Sequence, residues 1–122
     1  MNIKIKGTQL EITPPLEAYL QGKIIRSLEK RLKGYPKTDA VVVDIELARD
    51  GAHHHKGAIF RAEANISMPP KRRIRIEERA EDIRSAIDLL ESALMKKLEL
   101  VKGKTVMAAR RRQRKAKKEL YG

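Results

Sequence analysis

From Ala80 to Val101 the chain reads AEDIRSAIDLLESALMKKLELV, with Ile83, Ile87, Leu90, Leu94, Leu98 and Val101 recurring at steps of three and four. At about 100° per residue these side chains gather on one stripe, the mark of an amphipathic helix. Glu81 and Asp82 stand at its start and Lys96 and Lys97 towards its end, each on the side the helix dipole favours. Such a helix is marginal in water by itself, so the rest of the chain must present an apolar face for the stripe to cover. That requirement points upstream, to a sheet.

The period-two pattern of half-buried strands appears four times. Asn2 to Lys6 alternates Ile3 and Ile5 with polar residues, and Gly7 is expected to end it. From Asp39 to Arg49, Val41, Val43, Ile45 and Leu47 point one way and Val42, Asp44 and Glu46 the other. Ala58 to Met68 sets Phe60, Ala62, Ala64 and Ile66 against Arg61, Glu63 and Asn65, and about Arg72 to Glu77 sets Ile74 and Ile76 against Arg73 and Arg75. Between the first two strands, Thr13 can cap and Pro14 needs no amide partner in a first turn. A helix is therefore expected from about Pro14 to Lys33, with Leu16, Leu20, Ile24, Leu28 and Leu32 apolar, Tyr19 and Ile25 at the margins, and Gly34 in a left-handed cap. The order βαβββα implies an α+β two-layer sandwich: a four-stranded sheet with both helices on one face. We expect one domain over residues 1–102 and a basic, disordered tail over 103–122.

Charge narrows the function. The formal net charge is +12, and residues 102–122 hold nine Lys or Arg against one Glu, leaving +4 for the rest. A polyanion partner follows, with a solvated, solubilising extension as the plain alternative for the tail. Lys23, Arg26, Lys30 and Lys33 fall on one flank of the first helix; a surface helix ordinarily carries such residues, yet with Lys96, Lys97, Lys102 and Lys104 they could form one basic strip. Arg110, Arg111, Arg112, Arg114 and Lys115 would extend it as a phosphate-seeking arm. With no Trp, one Phe and three Tyr, an aromatic platform for stacked bases is disfavoured.

Other chemistries find little support. There is no cysteine, and His53, His54 and His55 adjoin only Asp50, so no metal or other cofactor is expected. Asp44 and Glu46 are acid/base candidates by type, but Arg61, Arg73 and Arg75 could pair with them across an open sheet face. No catalytic or phosphate-loop motif appears, so neither an enzyme nor a small-molecule substrate is expected. Without a signal segment or a long apolar run, the chain reads as soluble and cytoplasmic, with no membrane partner.

Two stretches carry a resemblance. Met1-Asn2-Ile3-Lys4-Ile5-Lys6-Gly7 with Leu10-Glu11-Ile12-Thr13-Pro14, and Glu81-Asp82-Ile83-Arg84-Ser85-Ala86-Ile87-Asp88 resemble the ribosome hibernation promoting factor and ribosome-associated inhibitor family, also called sigma-54 modulation proteins, over roughly residues 1 to 104. The resemblance implies a double-stranded-RNA-binding-domain-like fold that binds the small ribosomal subunit at the decoding region and inhibits translation by occluding tRNA and mRNA. It carries over Lys23, Arg26, Lys30, Lys96, Lys102 and Lys104 as contacts to ribosomal RNA. Arg84 stands where the family usually has Tyr, and Ala93 and Leu100 where Lys is common. Long members add a C-terminal dimerisation domain; without one here, a monomer is expected off the ribosome. The alternative reading is a general RNA-binding or RNA-chaperone module.

Overall fold

The stripe of the last helix does find its sheet. In the computed structural model, which describes residues 1–35, 38–50 and 59–101, the chain runs as strand β1 (Asn2–Thr8), helix α1 (Pro14–Leu20), a π-helical turn (Gln21–Ile25), helix α2 (Arg26–Arg31), a 3-10 turn (Thr38–Ala40), strands β2 (Val42–Arg49), β3 (Phe60–Met68) and β4 (Arg72–Ala80), and helix α3 over 83–101. The strands lie in the order β1-β2-β3-β4; β1 is parallel to β2 and the other pairs are antiparallel. A parallel pair needs a crossover, and α1, the π turn and α2 form it as one continuous rod.

Register builds the core. Ile3, Val43, Ile66 and Ile74 stand in one cross-strand row, and Ile5, Ile45, Ala64 and Ile76 in the next. This face joins a single apolar cluster with Leu20, Ile24 and Leu28 of the first rod and Ile87, Leu90 and Leu94 of α3. Ala62 and Ala64, both fully buried, keep the middle of β3 low under the helices. Each fully buried Leu or Ile contributes roughly 1.5–3 kcal/mol relative to exposure.

The boundaries differ from expectation for local reasons. Gly7 does not end β1 but pairs with Leu47 inside it, because the chain folds back over it: a Cβ at Gly7 would sit 2.3 Å from the Leu10 carbonyl oxygen. The first helix stops at Arg31, with Leu32 as its C-cap and Gly34 at φ 82° as expected. Ile25 is buried rather than marginal, since the π turn fits Ile24 and Ile25 into the core side by side. Thr38 bonds back to the Tyr35 carbonyl at 2.5 Å, which holds a turn just ahead of the second strand and delays its start to Val42. β4 continues to Ala80 because Phe60, Arg61 and Ala62 still offer it partners. Helix α3 therefore starts later: Asp82 is its cap, accepting from the Ser85 backbone N–H at 2.8 Å, and these bonds hold its carboxyl below the usual range.

The outer face of the sheet is wet and ion-paired. Arg61 reaches Glu46 at 2.5 Å and Glu63 at 2.7 Å, and Arg75 reaches Glu63 at 2.7 Å. Arg79 pairs with Asp50 and, at 3.1 Å, with Glu77. The expected pairing of Asp44 and Glu46 with Arg61, Arg73 and Arg75 is thus met only for Glu46 with Arg61; Arg75 turns to Glu63 and Glu77 instead. Glu63 is 9% exposed. Desolvation alone would raise its pKa, but hydrogen bonds from Arg75 and Asn65 outweigh that and hold it below the ordinary value. Its contribution to stability is therefore present above the ordinary glutamate range and lost as pH falls through the folded-state value. Glu63→Gln should cost about 1–3 kcal/mol at neutral pH and give a shallower loss of stability on acidification than the parent, read by urea unfolding at a series of pH values.

Candidate nucleic-acid interface

The two helical rods lie side by side on the sheet and run in the same direction, as their cross-contacts show: Tyr19 meets Asp88, Ser27 meets Glu91 and Arg31 meets Glu99. This seam is polar and largely acidic on the α3 side. The Tyr19 hydroxyl donates to Asp88 at 2.5 Å, and that bond raises the Tyr19 pKa. Lys23 stands 3.8 Å from the same carboxylate, and Arg84 lays its guanidinium 4.8 Å from the Tyr19 ring centre. Ser27 donates to Glu91 at 3.5 Å. The seam is solvent-exposed, so such pairs contribute little energy and mainly set the register of one helix on the other.

The seam divides the candidate cations into two kinds. Lys23 shares Asp88 with Tyr19, so part of its charge is already answered within the fold. Arg26 and Lys30 on the first rod, Lys33 in the turn just past its end rather than on the helix flank, and Lys96 and Lys97 on α3 are exposed and have no carboxylate partner among the described residues. Asp88, Glu91 and Glu99 of α3 meet Lys23, Ser27 and Arg31 of the first rod along the seam. Lys102, Lys104, Arg110, Arg111, Arg112, Arg114 and Lys115 lie outside the described residues, as do His53, His54 and His55.

Cations next to phosphates need little geometry beyond exposure and a rigid base, and the helices supply both. Thr13 caps α1 by accepting from the Leu16 N–H, and Leu20, Ile24 and Leu28, each fully buried, anchor the rod beneath its cations. Lys23 lies within the π turn, so α-helical spacing does not carry straight through from it to Lys30; such turns often occur at functional positions. Two sets of basic residues go unmarked by helical spacing. One is Arg84, which lies over the ring of Tyr19. The other is Lys71, Arg72 and Arg73 at the β3–β4 turn; three successive cations after Pro69-Pro70 are the available signal, masked by the expectation that this strand's arginines face carboxylates.

Among the described residues no cluster of three or more His, Cys, Asp or Glu could hold a metal ion, and no helix is long and apolar enough to cross a membrane. The hollows on the outer sheet face are open troughs, one of about 660 Å³ beside the β3–β4 turn.

Comparison with known proteins agrees with this geometry. Among solved structures, the N-terminal domain of Protein Y from Thermus thermophilus matches with a TM-score of 0.62 and 28% identity, covering 83% of this chain and 99% of that one. A ribosomal subunit interface protein from Coxiella burnetii shares the fold, with a TM-score of 0.59 and 23% identity over 84% of this chain and 99% of its own. No curated protein matches the chain in sequence. The sequence model of one family matches residues 3–106, nearly the whole of the four-stranded domain and its two helical rods, and on that match the chain belongs to the Sigma 54 modulation protein / S30EA ribosomal protein family.

Proposed function

We propose that this protein is a ribosome hibernation factor that binds ribosomal RNA of the small subunit at the decoding region, as a monomer, and inhibits translation by occluding tRNA and mRNA. The observation that carries the reading is the family match over residues 3–106, joined to four exposed helical cations, and Lys33 just past the end of α2, all without carboxylate partners among the described residues. One of the structures it matches is named a ribosomal subunit interface protein. The mechanism is steric. Arg26, Lys30, Lys33, Lys96 and Lys97 neutralise backbone phosphates and hold the rigid domain in place, and the volume of the domain then keeps other RNAs out. No bond is made or broken, and the scarcity of aromatic residues fits recognition of backbone and shape rather than stacked bases.

Sedimentation of a cytoplasmic lysate separates this reading from a general RNA-binding module. The protein should run in near-stoichiometric amount with ribosomes and with isolated small subunits; a spread over free RNA would support the general module instead.

Binding governed by phosphate contacts falls steeply with salt. Replacing Arg26, Lys30 and Lys33 together by Gln should weaken small-subunit binding by about 10-fold or more at moderate salt and lower the slope of log affinity against log salt by roughly two. Lys23→Gln alone should do less, because Asp88 already shares that charge. Equal affinity of the triple variant and the parent would refute the helical assignment.

The reading also gives the tail a role, in which Arg110 to Lys118 follow the mRNA path and extend the occluded region. Truncation after Lys104 should leave docking and tRNA exclusion in place while weakening competition with mRNA. A uniform loss of affinity for every RNA would show general electrostatic attraction instead.

A further inference from the structure

Lys71, Arg72 and Arg73 are all exposed at the β3–β4 turn, and none has a carboxylate partner among the described residues. The remainder of β4 treats its charges differently. Arg75 pairs with Glu63 and Glu77, and Arg79 with Asp50 and Glu77. Protection of an edge strand accounts for charge on β4, but mixed signs serve that purpose, and the turn end is basic alone. A helix dipole accounts in part for Lys30, near the end of α2, and for Lys96 and Lys97 towards the end of α3. It does nothing for the turn, since a sheet has only a small net dipole.

The turn is also held firmly. The Tyr35 hydroxyl donates to the Pro69 carbonyl at 2.9 Å, and Met68 is buried, sharing a small hollow with Leu32 and Leu98. The backbone carrying the three cations is thereby tied to the C-terminal parts of both helical rods. On its outer side the cations border the trough of about 660 Å³, whose lining includes Ala40, Val42, Ser67 and Pro70. A second trough of about 500 Å³ shares Ser67 and Arg73 and adds Asn65, Arg75 and one carboxylate, Asp44.

We propose that the Lys71-Arg72-Arg73 turn is a second phosphate-binding element, which carries the RNA-facing surface from the helix ends round to the outer face of the sheet. The ligand class is the ribose–phosphate backbone. Arg72 and Arg73 open β4, where successive residues lie about 3.3 Å apart and point to opposite sides, and Lys71 precedes them in the turn, so these cations fan out along a strand of phosphates rather than converge on one ion. The small lining residues Ala40, Val42 and Ser67 leave room for close approach, and no aromatic side chain lines either trough to stack a base. Arg75, already committed to Glu63, marks where this surface stops.

The inference rests on the ribosomal reading above, and its test separates the two. A K71Q/R72Q/R73Q variant changes only exposed side chains. It should bind isolated small subunits about 10-fold or more weakly at moderate salt, with a salt slope lower by roughly two, while K71R/R72K/R73K keeps both values. Because the chain has no cysteine, Lys71→Cys carrying an iron chelate offers a single tether, and hydroxyl radicals released there should cut ribosomal RNA at a confined site. If the parent binds small subunits, the Gln variant matches it in affinity and slope, and the tether cuts nothing, the turn assignment is overturned and the ribosomal reading stands. A parent that does not bind small subunits overturns both.

Discussion

Two helical rods share one face of a four-stranded sheet, and the burial of that one apolar layer is the constraint on which the other features depend. Leu20, Ile24 and Leu28 from one rod and Ile87, Leu90 and Leu94 from the other are fully buried, as are the β2 residues Val43 and Leu47. Several such residues, each contributing a few kcal/mol, are needed to offset the chain entropy lost on ordering. Neither rod could bury its stripe alone. The layer also sets the orientation of everything exposed: once the stripe faces the sheet, Lys30, Lys96 and their neighbours have only solvent to point into.

With the helices on one face, the other must remain wet, and the alternation of the strands supplies it with charge. Glu63 shows how such a face is made stable. It is nearly buried yet ionised, because Arg61, Arg75 and Asn65 all donate to it. Removing water from a carboxylate is costly unless its oxygens are satisfied, and here they are. The same face is unanswered at its other end, where Arg73 meets no carboxylate among the described residues. Charge that is satisfied within the fold holds the molecule together, and charge left over is available to a phosphate.

The helical seam illustrates the same division. Tyr19 and Lys23 gather round Asp88, Arg84 lies over the Tyr19 ring, and Arg31 pairs with Glu99, so the carboxylates of α3 draw in cations that would otherwise add to the unpaired positive surface.

Much of this protein could be read from its residues in order. Periodicity alone indicated four strands and two helical stretches, because burial on one face imposes a period of two or of about 3.6 on any chain that forms such a sandwich. The Thr13 cap, the left-handed Gly34 and the one-sided helices follow from the same local chemistry. The parallel β1–β2 pair follows from placing a helix between them. What the residues in order did not reveal was which charges meet. Glu63 with Arg75, Lys23 with Asp88 and Arg31 with Glu99 are separated by 12, 65 and 68 positions, and only the register of strands and the packing of one rod against the other bring them within reach. The same packing put Ile25 in the core through a π turn, and left Lys71, Arg72 and Arg73 without carboxylates among the described residues. Local patterns decide what each segment becomes, because they depend on neighbours along the chain. Which cations remain free to bind a polyanion depends on neighbours in space, and tertiary structure alone sets those.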